Sequence, residues 1–197
     1  LAGWDVEQMS AALPAVLDLA AASGEDLGIT SDIVTDALSA FGLEAKDAGE
    51  FADLLASASS NSNTNVSMLG ESFKYVAPVM GALGVSTEDT ALALGLMADN
   101  GIKGSQAGTQ LRNMMTSLVD PTDAQAEVMQ KYGIELVKNA DGTIDLQGTM
   151  DNLRSTLGGL SEDQQAQAAS TLFGKNAMAG ALAIVNTTEE SYENLAL

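Results

Sequence analysis

The sequence predicts a mainly α fold: a compact multi-helix domain of short, Gly-punctuated helices with one small β-hairpin at about 134–146. Three observations lead there. Apolar residues recur at spacings of three and four along most of the chain, the period of a helix face. Glycine followed by an aliphatic residue closes one apolar pattern after another. Alternation of apolar and polar residues occurs in one place, on either side of a turn at Asn139, Ala140, Asp141 and Gly142.

In chain order, Val6, Met9, Leu13, Val16, Leu17 and Ala20 predict a first helix over about 5–22, with a kink or break at Pro14. Ile33, Val34, Ala37, Leu38 and Phe41 predict a second, beginning near Ser31 and stopping at Gly42. Phe51, Leu54, Leu55 and Ala58 predict a third over roughly 46–59. The polar run from Asn61 to Asn65 has the composition of a loop and reads as a flexible connector. Next comes a helix with Leu69, Phe73, Val76, Met80 and Leu83 on one face and Met68, Tyr75, Val79 and Ala82 on another. A helix apolar on two sides is expected at the centre. Pro78 should bend it near Lys74 and Tyr75 or end it early.

Ser86 is placed to cap a helix whose first turn carries Glu88 and Asp89, acids that suit the positive end of the helix dipole. The following residues, 91–98, are apolar all round and too few to cross a bilayer, so they predict a core helix. Leu111, Met114, Met115 and Leu118 define another helix from Ser105. Pro121 is expected at the first position of the next, where a missing N–H costs least, and that helix runs to Tyr132. Beyond the hairpin come a helix over about 147–157, a capping box at Ser161 and Gln164 for a helix ending near Phe173, and a last helix over 176–185. The count is about nine. Four junctions share one form: Gly42-Leu43, Gly84-Val85, Gly101-Ile102 and Gly133-Ile134. Glycine takes the left-handed conformation past a helix end, and the residue after it folds back onto the last turn. The spacing is irregular, so no solenoid repeat is assigned.

Composition narrows the function. A chain of 197 residues is one domain, or one domain and a small appendage, divisible at most into 1–60, 61–131 and 132–197. Aromatics are only 4%, so the core is built of Ala, Leu, Val, Ile and Met, and 19 Gly with 9 Met suit close and pliable packing. The net charge of −19 repels nucleic acid and anionic membranes and suits a basic or neutral protein partner. With no Cys and no His, zinc sites, Ser-His-Asp triads and Cys-His dyads are excluded by residue type. The chain begins and ends within apolar patterns, as a piece of a longer polypeptide would.

The run VSMLGESFKYVAPVMGALGVSTEDTALALGLMADNGIKGSQAGTQLRNMM, residues 66–115, with the polar residues before it, resembles the core domain of phage tail tape measure proteins of the minor-tail, TP901-type family. The string LFGKNAMAGALAIVN, residues 172–186, is similar to a recurrent element of the same family. The resemblance extends from about Trp4 to Asn186. It implies a structural tail protein that sets tail length and acts in assembly and DNA ejection. It implies location inside the tail tube of the virion, after a stage in the host cytoplasm. The implied partners are the tail tube protein, tail assembly chaperones, distal tail or baseplate proteins, and further copies of the chain, a trimer in the virion. Two alternatives stand beside it: a peptidoglycan hydrolase segment of a phage tail protein, and a helical chaperone- or partner-binding module.

Few residues invite a chemical role. The turn from Asn139 to Asp145 resembles half of a calcium-binding EF-hand loop, but the register puts Val137 and Gly148 where carboxylates belong, so it reads as a hairpin turn. Glu71 could serve as a buried general acid in glycoside hydrolysis; beside Ser72 and Lys74 it reads as a solvated or Lys-paired residue. Gly104 and Gly108 fit a G-x-x-x-G pattern, but amid polar neighbours they read as a loop glycine and a packing glycine. Asn65 and Asn186 match the glycosylation sequon, for which a bacterial virus has no pathway. No catalytic residue, metal or cofactor is assigned, and the chain is read as a non-enzyme.

Overall fold

The structure is a computed structural model that describes residues 4–195. Among them are eleven α-helices and one 3₁₀ turn. Asp5 caps α1 (Val6–Ser23) by accepting from the Gln8 N–H at 2.8 Å. Asp26 caps α2 (Leu27–Phe41) through the N–H groups of Gly28 and Ile29, which is why α2 starts a turn earlier than the apolar pattern implies. The 3₁₀ turn (Ala45–Asp47) leads into α3 (Ala48–Asn61). Then follow α4 (Val66–Leu83), α5 (Thr87–Asp99) and α6 (Gly104–Val119). Neither Pro14 nor Pro78 ends its helix: α1 runs on to Ser23 and α4 to Leu83. The remaining helices are α7 (Asp123–Tyr132), α8 (Leu146–Leu157), α9 (Glu162–Phe173), α10 (Met178–Val185) and α11 (Glu189–Leu195). Pro121 lies outside α7, because Thr122 and Gln125 form a capping box that begins the helix two residues later than expected.

The four glycine stops behave as the sequence predicts. Gly42, Gly84, Gly101 and Gly133 all have φ between 69° and 83°. The N–H of each following residue bonds back to a carbonyl of the last turn: Leu43 to Leu38 at 2.8 Å, Val85 to Met80 at 3.0 Å, Ile102 to Met97 at 3.0 Å and Ile134 to Met129 at 2.9 Å. These bonds satisfy carbonyls that a helix end leaves free. Val85, Ile102 and Ile134 are buried by the fold-back; Leu43 stays 38% exposed.

The hairpin is reduced to a single antiparallel bridge between Lys138 and Ile144. Two backbone bonds flank the bridge, from the Asn139 N–H to the Thr143 carbonyl at 2.8 Å and from the Asp145 N–H to the Val137 carbonyl at 3.1 Å; the donors needed to extend it are committed elsewhere. The Val137 N–H goes to Thr149 Oγ1 at 3.0 Å, the Glu135 N–H goes to Asn152 Oδ1 at 2.9 Å, and Asp145 already caps α8. A ladder cannot lengthen when its N–H groups are taken by side chains.

The enclosed helix is α5, where every residue from Ala91 to Ala98 is buried. This is the core helix that its apolar run predicts. The expectation that α4 is buried on two opposite faces does not hold: Met68 and Tyr75 are exposed. Its central place comes from its flanks, between α2 and α6, where small residues let backbones meet. A Cβ on Gly81 would lie 2.1 Å from the Ala40 carbonyl oxygen, and one on Gly108 would lie 2.2 Å from that of Ser72. The buried Phe73 ring packs edge-on against Phe41 and Phe51, with centroids 6.1 and 5.3 Å apart. On the other side, α10 packs on α5, α6, α8 and α9, and the buried Gly180 N–H donates to Gln110 Oε1 at 2.7 Å. No helix among the described residues is long and apolar enough to cross a membrane.

Candidate functional site

Most of the residues weighed for chemistry are engaged in local hydrogen bonds or packing. In the turn from Asn139 to Asp145, Asp141 Oδ1 accepts from the N–H and hydroxyl of Thr143, at 3.0 and 2.6 Å. The Thr143 hydroxyl, then its N–H, hold the Asp141 carboxyl below the ordinary carboxylate range. Asp145 accepts from the Gly148 N–H at 2.7 Å as the cap of α8. Among the described residues, no group of three or more His, Cys, Asp or Glu could hold a metal ion. Glu71 is exposed on α4 and makes no ion pair among the described residues.

Gly104 has φ 60° at the start of α6, and its carbonyl accepts from Ser72 Oγ at 2.8 Å; Gly108 is the contact point with α4. One is thus a turn glycine and the other a packing glycine. Asn65 accepts from the Met68 N–H at 2.8 Å as the cap of α4, and Asn186 caps α10. The connector before α4 is short and tied to α5, since the Asn63 N–H donates to Asp99 Oδ1 at 2.7 Å. That bond makes it an anchored joint, and composition alone could not show the distant Asp99.

Among the surface recesses, none of which residue-by-residue reading anticipated, one combines apolar walls with three carboxylates and no Lys or Arg among the described residues. It has a volume of about 310 Å³ and lies where the end of α2 and the start of α3 meet the α4–α5 turn. Phe41, Leu43, Phe51 and Val85 give it apolar walls, and Asp47, Glu50 and Glu88 stand around it. No local signal marks it in the sequence: Leu43 follows a glycine stop as Val85, Ile102 and Ile134 do, and only the fold shows that it alone of the four stays exposed.

Elsewhere, Arg154 gathers α8 and α11. Its guanidinium bonds Glu189 at 2.8 Å and Asp151 at 3.4 Å and lies 4.3 Å from the centre of the Tyr192 ring. Burial, with Asp151 nearby, pushes the Tyr192 phenol above its ordinary value. This cluster fastens α11 to α8. Asp89 lies on the seam between α5 and α8, where burial raises its carboxyl pKa.

The family described as phage-related minor tail protein matches residues 1–174. The chain belongs to this family. It is 39% identical over 194 residues to the tape measure protein of Pneumococcus phage Dp-1, a match covering 98% of this chain and 17% of that protein. It is 26% identical over 186 residues to the probable tape measure protein of Escherichia phage P2, covering 93% of this chain and 23% of that protein. This minor tail chain therefore spans about a fifth of the length of these relatives. No solved structure gives a significant match.

Proposed function

We propose that the chain is the globular part of a tape measure protein, which sets tail length and acts in tail assembly and DNA ejection. The observation that carries this reading is the family match across residues 1–174, joined to two tape measure relatives that align along nearly all of the chain. Its role is structural and non-enzymatic. The proposed partners are the tail tube protein, tail assembly chaperones, distal tail or baseplate proteins and further copies of itself, as a trimer. The proposed location is the tail tube interior, after synthesis and assembly in the host cytoplasm.

This part of the protein is an anchor and not the ruler. A ruler is extended, whereas the longest helices here have 18 residues, about 27 Å at the rise of an α-helix. The accessible surface is 9241 Å², close to the roughly 8,800 Å² of a compact monomer of this mass. The three stretches 1–60, 61–131 and 132–197 are proposed as its sub-regions. An in-frame deletion of residues 1–197 from the encoding phage is expected to abolish tails. Deleting a long helical stretch elsewhere in the same protein should shorten them in proportion. Electron microscopy of particles reads both, and normal tails without these residues would overturn the proposal.

A further inference from the structure

We propose that the recess at the end of α2 is a docking site for a cationic segment of another protein: an Arg or Lys flanked by apolar residues. The inference goes beyond the tail reading, because it depends on the chemistry of the recess and not on which protein carries the segment.

The recess offers two complementary surfaces. Phe41 and Leu43, backed by the buried Phe51 and Val85, present apolar and aromatic area on which the stem of a long basic side chain can lie. Asp47, Glu50 and Glu88 present three carboxylates, and no Lys or Arg among the described residues lines the cavity. The nearby Lys46 is already bound to Glu44 at 2.6 Å. Glu50 and Glu88 belong to the first turns of α3 and α5, where acids favour the helix dipole. That placement accounts for the acids themselves, but not for an apolar cavity left open between them.

Two features keep the recess open. Gly81 lines it and has no room for a side chain against the Ala40 carbonyl, so the wall cannot be filled from α4. Leu43 follows a glycine stop, where its counterparts Val85, Ile102 and Ile134 are buried, yet it remains 38% exposed. The field around the site reinforces its charge. Residues 1–60 hold 11 acidic residues and a single Lys, a net −10 of the chain's −19. Such a field concentrates cations at the mouth. A second copy of this chain is a poor occupant because it brings the same net charge.

The test uses the ¹⁵N-labelled 197-residue chain and a blocked synthetic peptide of alternating Leu and Arg, with a Leu/Gln counterpart. The expected result is saturable amide shifts confined to the end of α2, the first turn of α3 and the α4–α5 turn, for the Arg peptide alone. Glu50→Gln with Glu88→Gln should weaken binding about tenfold, while Asp32→Asn with Asp36→Asn, an equal loss of charge on outer α2, should change it by less than about twofold. Circular dichroism melting of each variant confirms that the fold is retained. Absence of binding, equal binding of the Gln peptide, shifts spread over the acidic surface, or equal weakening in both double variants would each overturn the proposal.

Discussion

Two regions of the molecule are built by different rules. In the α2–α4–α6 layer, glycine brings backbones together and apolar side chains fill what remains. Around α7 and the segment leading to α8, side chains bond to backbone, and α7 has no fully buried residue. There Gln125 Nε2 donates to the Leu172 carbonyl at 2.6 Å, and Asn152 accepts from the Glu135 N–H at 2.9 Å and donates to the Gly133 carbonyl at 3.2 Å. The difference teaches where this fold keeps its stability. The first region fails through volume, all at once; the second fails one hydrogen bond at a time.

The largest expected effect is at Phe73, which is 1% exposed and holds two other rings. Phe73→Ala should cost about 4 kcal/mol and lower the Tm by about 12 °C, read by thermal and denaturant melting. Next is Gly108→Ala. Its methyl group would meet the Ser72 carbonyl, so α4 and α6 must part, at a cost of about 3 kcal/mol. Gly49→Ala is the matching control. It sits in α3 with nothing within 4 Å, and it should stabilise by about 0.5–1 kcal/mol. If the two alanine variants melt alike, close backbone approach is not what joins the layer.

In the second region, Asn152→Ala removes both bonds to the preceding loop and should cost about 1.5 kcal/mol. The loss is expected to be local. Hydrogen exchange should speed at Glu135 and its neighbours while α4 and α6 keep their protection. A uniform loss of protection would mean that the two regions unfold as one unit.

This division also decides what could be read in the sequence. The helix ends at Ser86, Ser161 and the four glycine stops were legible because capping is local and acts within a few residues. The enclosed α5 was legible because a run apolar on every side has no outward face. Long-range features were not. Asn152 and Thr149 take the N–H groups that a hairpin needed, and nothing near residue 137 announces them. The outward face of α4 carries Met68 and Tyr75, so hydrophobicity pointed to burial that the neighbours do not provide. Helix α11 was missed because its anchors, Tyr192 and Leu195, are too few to set a period, and Arg154 lies 35 residues before its partner Glu189. Among the sites, each candidate rested on residue type within one stretch, whereas the recess draws on three separate stretches.

The smallest expected effect lies on the seam, at Asp89. Desolvation by burial is the main cause of its raised pKa, and nearby Asp145 adds to it; bonds from Gln147, Leu146 and Ser86 oppose it. The bond from the Gln147 N–H, at 3.4 Å, is the strongest of the opposing ones and does not outweigh burial. The sign of the linkage follows from the direction of the shift. A carboxyl whose folded pKa lies above its ordinary 3.8 binds its proton more tightly when folded. Its contribution is therefore most favourable below that value, and is lost as pH rises through the folded pKa. Asp89→Asn removes this loss. The difference in denaturant midpoint between variant and parent should shift in the variant's favour as pH rises from about 3 to 7, and stay level above that range. A difference that moves the opposite way would mean that the hydrogen bonds from α8 outweigh burial, and that the seam belongs with the hydrogen-bonded region rather than with the packed layer.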